Sequence, residues 1–185
     1  MWLVASNRTL RRIHSVDSNS DFYIHNAPWT AEFVKKNLYI IERNHRLYPQ
    51  RNRWNCDCHV IHDDDHDVQP IDFPFLKSHY EEIVLDFCSK KNLKLSHLSD
   101  IWYNYYKKSQ YQEPHIHLGG GYTVVHYMMY HKKHHSCTMF TDKNIVSPEV
   151  KQGDILFFPA DYEHYVPRND SKYPRLTVAF TVTLQ

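Results

Sequence analysis

The chain has 185 residues, enough to bury roughly 70% of its unfolded surface in one core, and its 22 basic and 21 acidic side chains leave a formal net charge of +1. That balance argues against a nucleic-acid or membrane-surface binder, and no stretch approaches the roughly 20 apolar residues of a membrane span. Four irregularly spaced cysteines (Cys56, Cys58, Cys88 and Cys137) are too few for a disulfide framework, so a soluble protein of a reducing compartment is expected.

In chain order, DFYIHNAPWT followed by AEFVKKNLYIIERN predicts a short strand, a turn at Pro28 and a helix from about Thr30, a candidate N-cap. RWNCDCHVI alternates, with Trp54, Cys56, Cys58 and Val60 on one face, which predicts a half-buried strand. Cys56 and Cys58 with His59, His62 and His66 lack the gap and the second cysteine pair of a zinc site, so the cysteines read as core residues. DDDHD then reads as a solvated loop. Leu76, Tyr80, Ile83, Val84 and Phe87 fall at helical spacing opposite Lys77, Glu81, Glu82 and Lys90, predicting an amphipathic helix over 74–90.

After about residue 99 the chain reads as strands. IWYNYYK, GYTVVHYMMY, SCTMFT, GDILFFPA, EHYVP and RLTVAFTVTL are short aromatic and β-branched runs separated by turn residues or charges. About eight strands at this spacing imply a sandwich or barrel. HKKHH at 131–135 reads as a charged hairpin tip. His126 shares a predicted strand face with Met128 and Tyr130 and reads as a packed residue, not a ligand.

The chemistry gathers around EPHIHLGGGY. In an extended segment His115 and His117 point to one face, so two imidazoles can converge on an ion. Three of the four glycines, Gly119 to Gly121, follow directly, and the fourth, Gly153, opens GDILFFPADYEH, which delivers His164 beyond a proline-ended strand. Three such histidines would make a facial site with coordination positions to spare. In YPRLTVAF, Arg175 and Thr177 share a strand face, a pairing suited to a carboxylate. The structural alternative for Arg175 is a strand-end salt bridge, with Asp170 one candidate partner.

From about Ile101 to Phe180 the chain resembles the Fe(II)/2-oxoglutarate-dependent oxygenases, close to the small prolyl-hydroxylase-like type common in phage and bacterial genomes. The matching features run in order: WYNYY, HIH in the place of the His-x-carboxylate, YTVVHYMMY, GDILFFPADYEH with the distal histidine, and RLT as the Arg-x-Ser/Thr. The resemblance implies a mostly β fold, a double-stranded β-helix (jelly-roll) with N-terminal helices packed on its major sheet. It implies a single domain over 1–185, with N-terminal strands and helices in 1–98 and the double-stranded β-helix core in 99–185. His115, His117 and His164 would bind Fe(II), and Arg175 and Thr177 would grip the far carboxylate of the co-substrate 2-oxoglutarate. Tyr103, on the strand before the ligands, is the candidate for a hydroxyl contact to 2-oxoglutarate, although parity alone does not choose among that strand's tyrosines. With O2 as the second co-substrate, decarboxylation to succinate and CO2 would be coupled to hydroxylation of a small molecule or peptide residue. The location implied is the cytoplasm, that of the host if the gene is phage-borne.

One position departs from the family pattern, which has Asp or Glu where this chain has His117. Glu113, Asp161 and Glu163 are the nearby carboxylates that could stand in as third ligand. Two other readings compete. A cupin-type metal enzyme shares the jelly-roll, but LGGGYTVV lacks the glutamate its first motif requires. A non-catalytic jelly-roll would hold a redox-inert metal or a ligand without turnover.

Overall fold

The computed structural model describes residues 21–49, 57–118 and 120–185. The expectations for Trp54, Cys56 and Gly119 fall outside those residues. Ten strands and two helices follow in the order β1 (Tyr23–Asn26), α1 (Thr30–Leu47), β2 (His59–His62), α2 (Phe73–Lys91), β3 (Leu95–Leu98), β4 (Trp102–Tyr106), β5 (Gln112–His115), β6 (Tyr122–Met129), β7 (Met139–Phe140), β8 (Asp154–Pro159), β9 (His164–Val166) and β10 (Arg175–Leu184).

Among the described residues every strand pairing is antiparallel. The larger sheet runs β1-β8-β6-β10-β4-β2 with β3 on the far end of β10, and the smaller runs β5-β9-β7. The order is far from sequential, the mark of a jelly-roll rather than a meander. β10 is the spine, ten residues long and flanked by β4 and β6. From the described part of the first 98 residues, β1, β2 and β3 each pair with a strand of the later segment.

Each helix follows from its sequence pattern. In α1 the buried residues Phe33, Val34, Asn37, Ile41 and Asn44 recur at three- and four-residue intervals. The predicted cap is corrected: Trp29 is the capping residue, and the Thr30 hydroxyl, already helical, donates to Ala27 O at 2.7 Å. α2 starts where Asp72 accepts from the Phe75 amide, with Pro74 in the first turn. It stops at Asn92, whose left-handed backbone closes the last turn.

Two apolar cores result. One joins both helices to the outer face of the large sheet through Phe33, Ile41, Tyr80, Phe87, Phe157 and Phe180. The other lies between the two sheets, with Tyr106, Tyr127 and Phe158 from the large sheet against Phe140 and Val166 from the small one. β2 is not half-buried as its alternation predicts. All four of its residues are buried, because Val60 belongs to the core between the sheets and Ile61 to the core under the helices.

Two sequence expectations on β6 and its turn also change. Tyr130 is not on the face of His126 and Met128. The β6–β10 register shifts so that Leu176 opposes Met129 and Thr177 opposes Tyr127, and the bulge brings Tyr130 to the core that holds Tyr127. At the HKKHH tip, His135 is buried, accepting from the His131 amide and lying 3.2 Å from Tyr173 O.

Candidate metal centre

The small sheet and the segment after it deliver the three histidines. His115 ends β5 and pairs directly with His164, the first residue of β9. His117 lies two residues beyond β5, tied down because its amide donates to Ala160 O at 3.0 Å. Ala160 N–H in turn donates to Gly121 O, so the turn into β6, the end of β8 and the His117 backbone form one hydrogen-bonded frame. Gly121 is required there: its φ is +99°, and a Cβ would overlap the carbonyl of Val182.

The ligating atoms of His115, His117 and His164 lie within 4.8 Å of one another, a spacing at which one ion can be held. Two of the rings are oriented by backbone. His115 Nδ1 is 2.8 Å from Glu113 O, and His164 Nδ1 is 2.8 Å from Tyr162 O. A carbonyl can only accept, so each Nδ1 carries the proton and each Nε2 keeps its lone pair for a metal. Burial lowers the pKa of all three imidazoles, His117 to about 4 and His164 to about 3, with the neighbouring His115 adding to both. They are therefore neutral at physiological pH, the form that binds metal. A nitrogen donor set of this kind fits Fe(II).

Glu113, Asp161 and Glu163 are exposed, and no Asp or Glu among the described residues lines the cavity over the histidines. Among the described residues, the candidate ligand group is all histidine.

The same cavity holds Arg175 and Thr177, projecting inward from β10. Arg175 is 2% exposed, and its Nε, Nη1 and Nη2 all lack a hydrogen-bond partner. Asp170, the salt-bridge candidate, is exposed and does not meet it. The guanidinium instead lies over the rings of Tyr106, 4.9 Å from the centroid, and Tyr127, at 5.6 Å. Asn104 Oδ1 and Thr123 Oγ1, also on the cavity wall, are buried without partners too. A cavity lined by unsatisfied polar groups and a lone buried cation is built for a polar anionic ligand.

Tyr103 is corrected. It is buried in the core under the helices, stacked near Phe73, because β4 turns Trp102, Asn104 and Tyr106 to the cavity and Tyr103 and Tyr105 away from it. Tyr106 and Tyr127 are the tyrosines the sequence reading missed. The period-two alternation of β4 could have separated Tyr106 from Tyr103 had the inward parity been fixed by Trp102. Tyr127 follows the same alternation in β6, on the face of Val125 and opposite His126, while the bulge beyond it brings Tyr130 to that face.

A family model described as "Putative 2OG-Fe(II) oxygenase" matches residues 127–181, a span that includes His164, Arg175 and Thr177. A search of curated proteins found no match. The fold is similar to a Pseudomonas putida prolyl-4-hydroxylase, with a TM-score of 0.65 at 12% identity over 89% of this chain and 93% of that one. It is equally similar to the viral collagen prolyl hydroxylase of Paramecium Bursaria Chlorella virus-1 in its 2OG complex (TM-score 0.65, 12% identity, 91% and 98% covered). The fold is that of the 2-oxoglutarate oxygenases. A Trichoplax adhaerens prolyl hydroxylase, solved with a hypoxia inducible factor oxygen degradation domain peptide fragment, shares it at a TM-score of 0.62 and 12% identity, covering 88% of this chain and 83% of that one. The family model covers the distal part of the site, and the solved structures share the fold of the whole described chain. Among the described residues, no helix is long and apolar enough to cross a membrane.

Proposed function

We propose that this chain is an Fe(II)- and 2-oxoglutarate-dependent dioxygenase that hydroxylates a peptide residue or small molecule. The observation that carries the reading is Arg175: a fully buried, unpartnered guanidinium in the same cavity as three converging, neutral histidines. Leaving such a charge buried and unpaired costs several kcal/mol, so the cavity is stable in its working form only with an anion bound. A five-carbon diacid that reaches from the histidines to Arg175 meets both requirements.

In this reading His115, His117 and His164 hold the ion through Nε2, with Glu113 O and Tyr162 O fixing the rings of His115 and His164. Bound iron supplies the oxidation of substrate by O2, coupled to loss of CO2 from 2-oxoglutarate. Arg175 and Thr177 bind the far carboxylate. Tyr106 and Tyr127 lie under the guanidinium and are themselves tied down: the Tyr106 hydroxyl donates to Gln112 at 2.9 Å and the Tyr127 hydroxyl to Thr138 at 3.0 Å. A cupin-type enzyme has no need of a buried arginine at this place, and an inert metal site has no need of it either.

Because the proteins of similar fold include prolyl hydroxylases, prolyl peptides are the first substrates to screen by succinate release. Before that, anaerobic addition of Fe(II) and 2-oxoglutarate to the apo-protein should give the weak visible charge-transfer band of the chelate. The band should weaken in Arg175→Ala. Bound iron that gives no band with 2-oxoglutarate would refute the oxygenase reading.

A further inference from the structure

The candidate metal site carries a charge that no carboxylate among the described residues balances. Histidine ligates as the neutral imidazole, so a divalent ion on His115, His117 and His164 keeps its full double charge. Arg175, buried in the same cavity, adds another cation. Among the described residues no carboxylate lines that cavity. Glu163 lies close enough to His115 to be felt, yet its carboxylate is exposed and accepts a hydrogen bond from the Thr141 hydroxyl at 2.6 Å. Solvent screens a charge in that position. Glu113 and Asp161 are exposed as well.

A dianionic 2-oxoglutarate cancels two of the three positive charges. One remains, in a cavity walled by the buried Asn104, Arg175 and Thr177, where an uncompensated charge is costly and attracts a counter-charge strongly. Where three histidines are the only protein ligands of a zinc ion, the ion holds a hydroxide near neutral pH, which is the same need met by an exogenous anion.

We propose, resting on the oxygenase reading above, that the cavity takes a small monoanion, halide or carboxylate, together with the dicarboxylate, and that histidine at position 117 creates this site. A carboxylate at 117 would supply the missing negative charge from within the chain. The anion could come from solution or be the carboxylate of a substrate; chloride represents the first source and formate the second.

The test uses the Co(II)-loaded protein, whose visible d–d bands report the ion's ligands without turnover. Saturating it with 2-oxoglutarate and titrating chloride or formate, at an ionic strength held constant with perchlorate, should give a saturable spectral change. In His117→Asp, the same change should need at least tenfold more anion or be absent. His117→Glu makes the same comparison should the Asp variant not hold cobalt. A response to formate alone assigns the site to carboxylates, and a response to chloride extends it to inorganic ions. No anion response in the wild type, or an equal response in wild type and variant, would overturn the proposal while leaving the oxygenase reading intact. Cobalt that does not bind, or a spectrum that does not change with 2-oxoglutarate, would overturn both, and is seen before any monoanion is added.

Discussion

Arg175 and His126 are both buried charge-capable groups on the large sheet, and they meet burial in opposite ways. Arg175 stays charged and unpartnered, offset only by two tyrosine faces, each contributing on the order of 1 kcal/mol. Replacing it with methionine should therefore raise the stability of the ligand-free protein by about 1 to 4 kcal/mol in urea unfolding. The same change should abolish stabilisation by 2-oxoglutarate. A loss of ligand-free stability would mean that the guanidinium is structural. His126 is instead neutral and fully satisfied. The Thr30 hydroxyl spends its proton on Ala27 O, so it must accept from His126 Nε2–H, and the Tyr80 hydroxyl donates to His126 Nδ1. Burial holds the His126 pKa at about 3, below the ordinary value of 6.5. Between those values the unfolded chain binds a proton that the native one does not, so stability is complete above about pH 6.5 and falls as pH drops toward 3. The contribution of this one group is about 1.4 kcal/mol per pH unit. Stability against pH in His126→Phe should show a shallower acid slope than the wild type; an unchanged slope would show that His126 does not stay neutral in the native state.

At the scale of elements, the turn from His117 into β6 concentrates the risk. Gly121→Ala must relieve both the positive φ and the overlap with Val182 O, and should cost about 2 kcal/mol or more in thermal unfolding. Since Gly121 O anchors Ala160 and Ala160 O anchors His117, metal affinity should fall with it. A destabilised variant with unchanged metal affinity would separate the turn from the site. This part of the molecule also marks how far sequence legibility reaches. The apolar spacing of α2 and the runs of β4, β6, β8 and β10 read directly, because one face or both is hydrophobic. β5 (Gln112–His115) does not read as a strand: QEPH is polar, carries a proline and is held by pairing with β9. β3 (Leu95–Leu98) is equally faint, formed by docking on the end of β10. The bulge in β6 exchanges faces by one residue, which no period-two pattern foresees.

For the whole molecule, the histidines and Arg175 were legible by type and order, since a jelly-roll brings distant strand ends together. The surroundings of Arg175 were not: which tyrosine faces inward depends on parity and register, and Tyr106 and Tyr127 lie against the guanidinium while Tyr103 faces the other core. Because the cavity lies between the two sheets, ligand binding becomes a stability term for the fold. With metal and 2-oxoglutarate each near 100 times its dissociation constant, each should add about 2.7 kcal/mol, or roughly 5 to 10 °C in Tm, and a chelator should remove both gains. The most direct test of the central claim is calorimetric titration of 2-oxoglutarate into the protein with and without Mn(II), a redox-quiet stand-in for Fe(II). The account predicts one site that needs the metal, is lost in Arg175→Ala and is lost again when His115 and His164 are replaced by alanine. Binding of equal strength without metal, or binding that survives loss of Arg175, would contradict it.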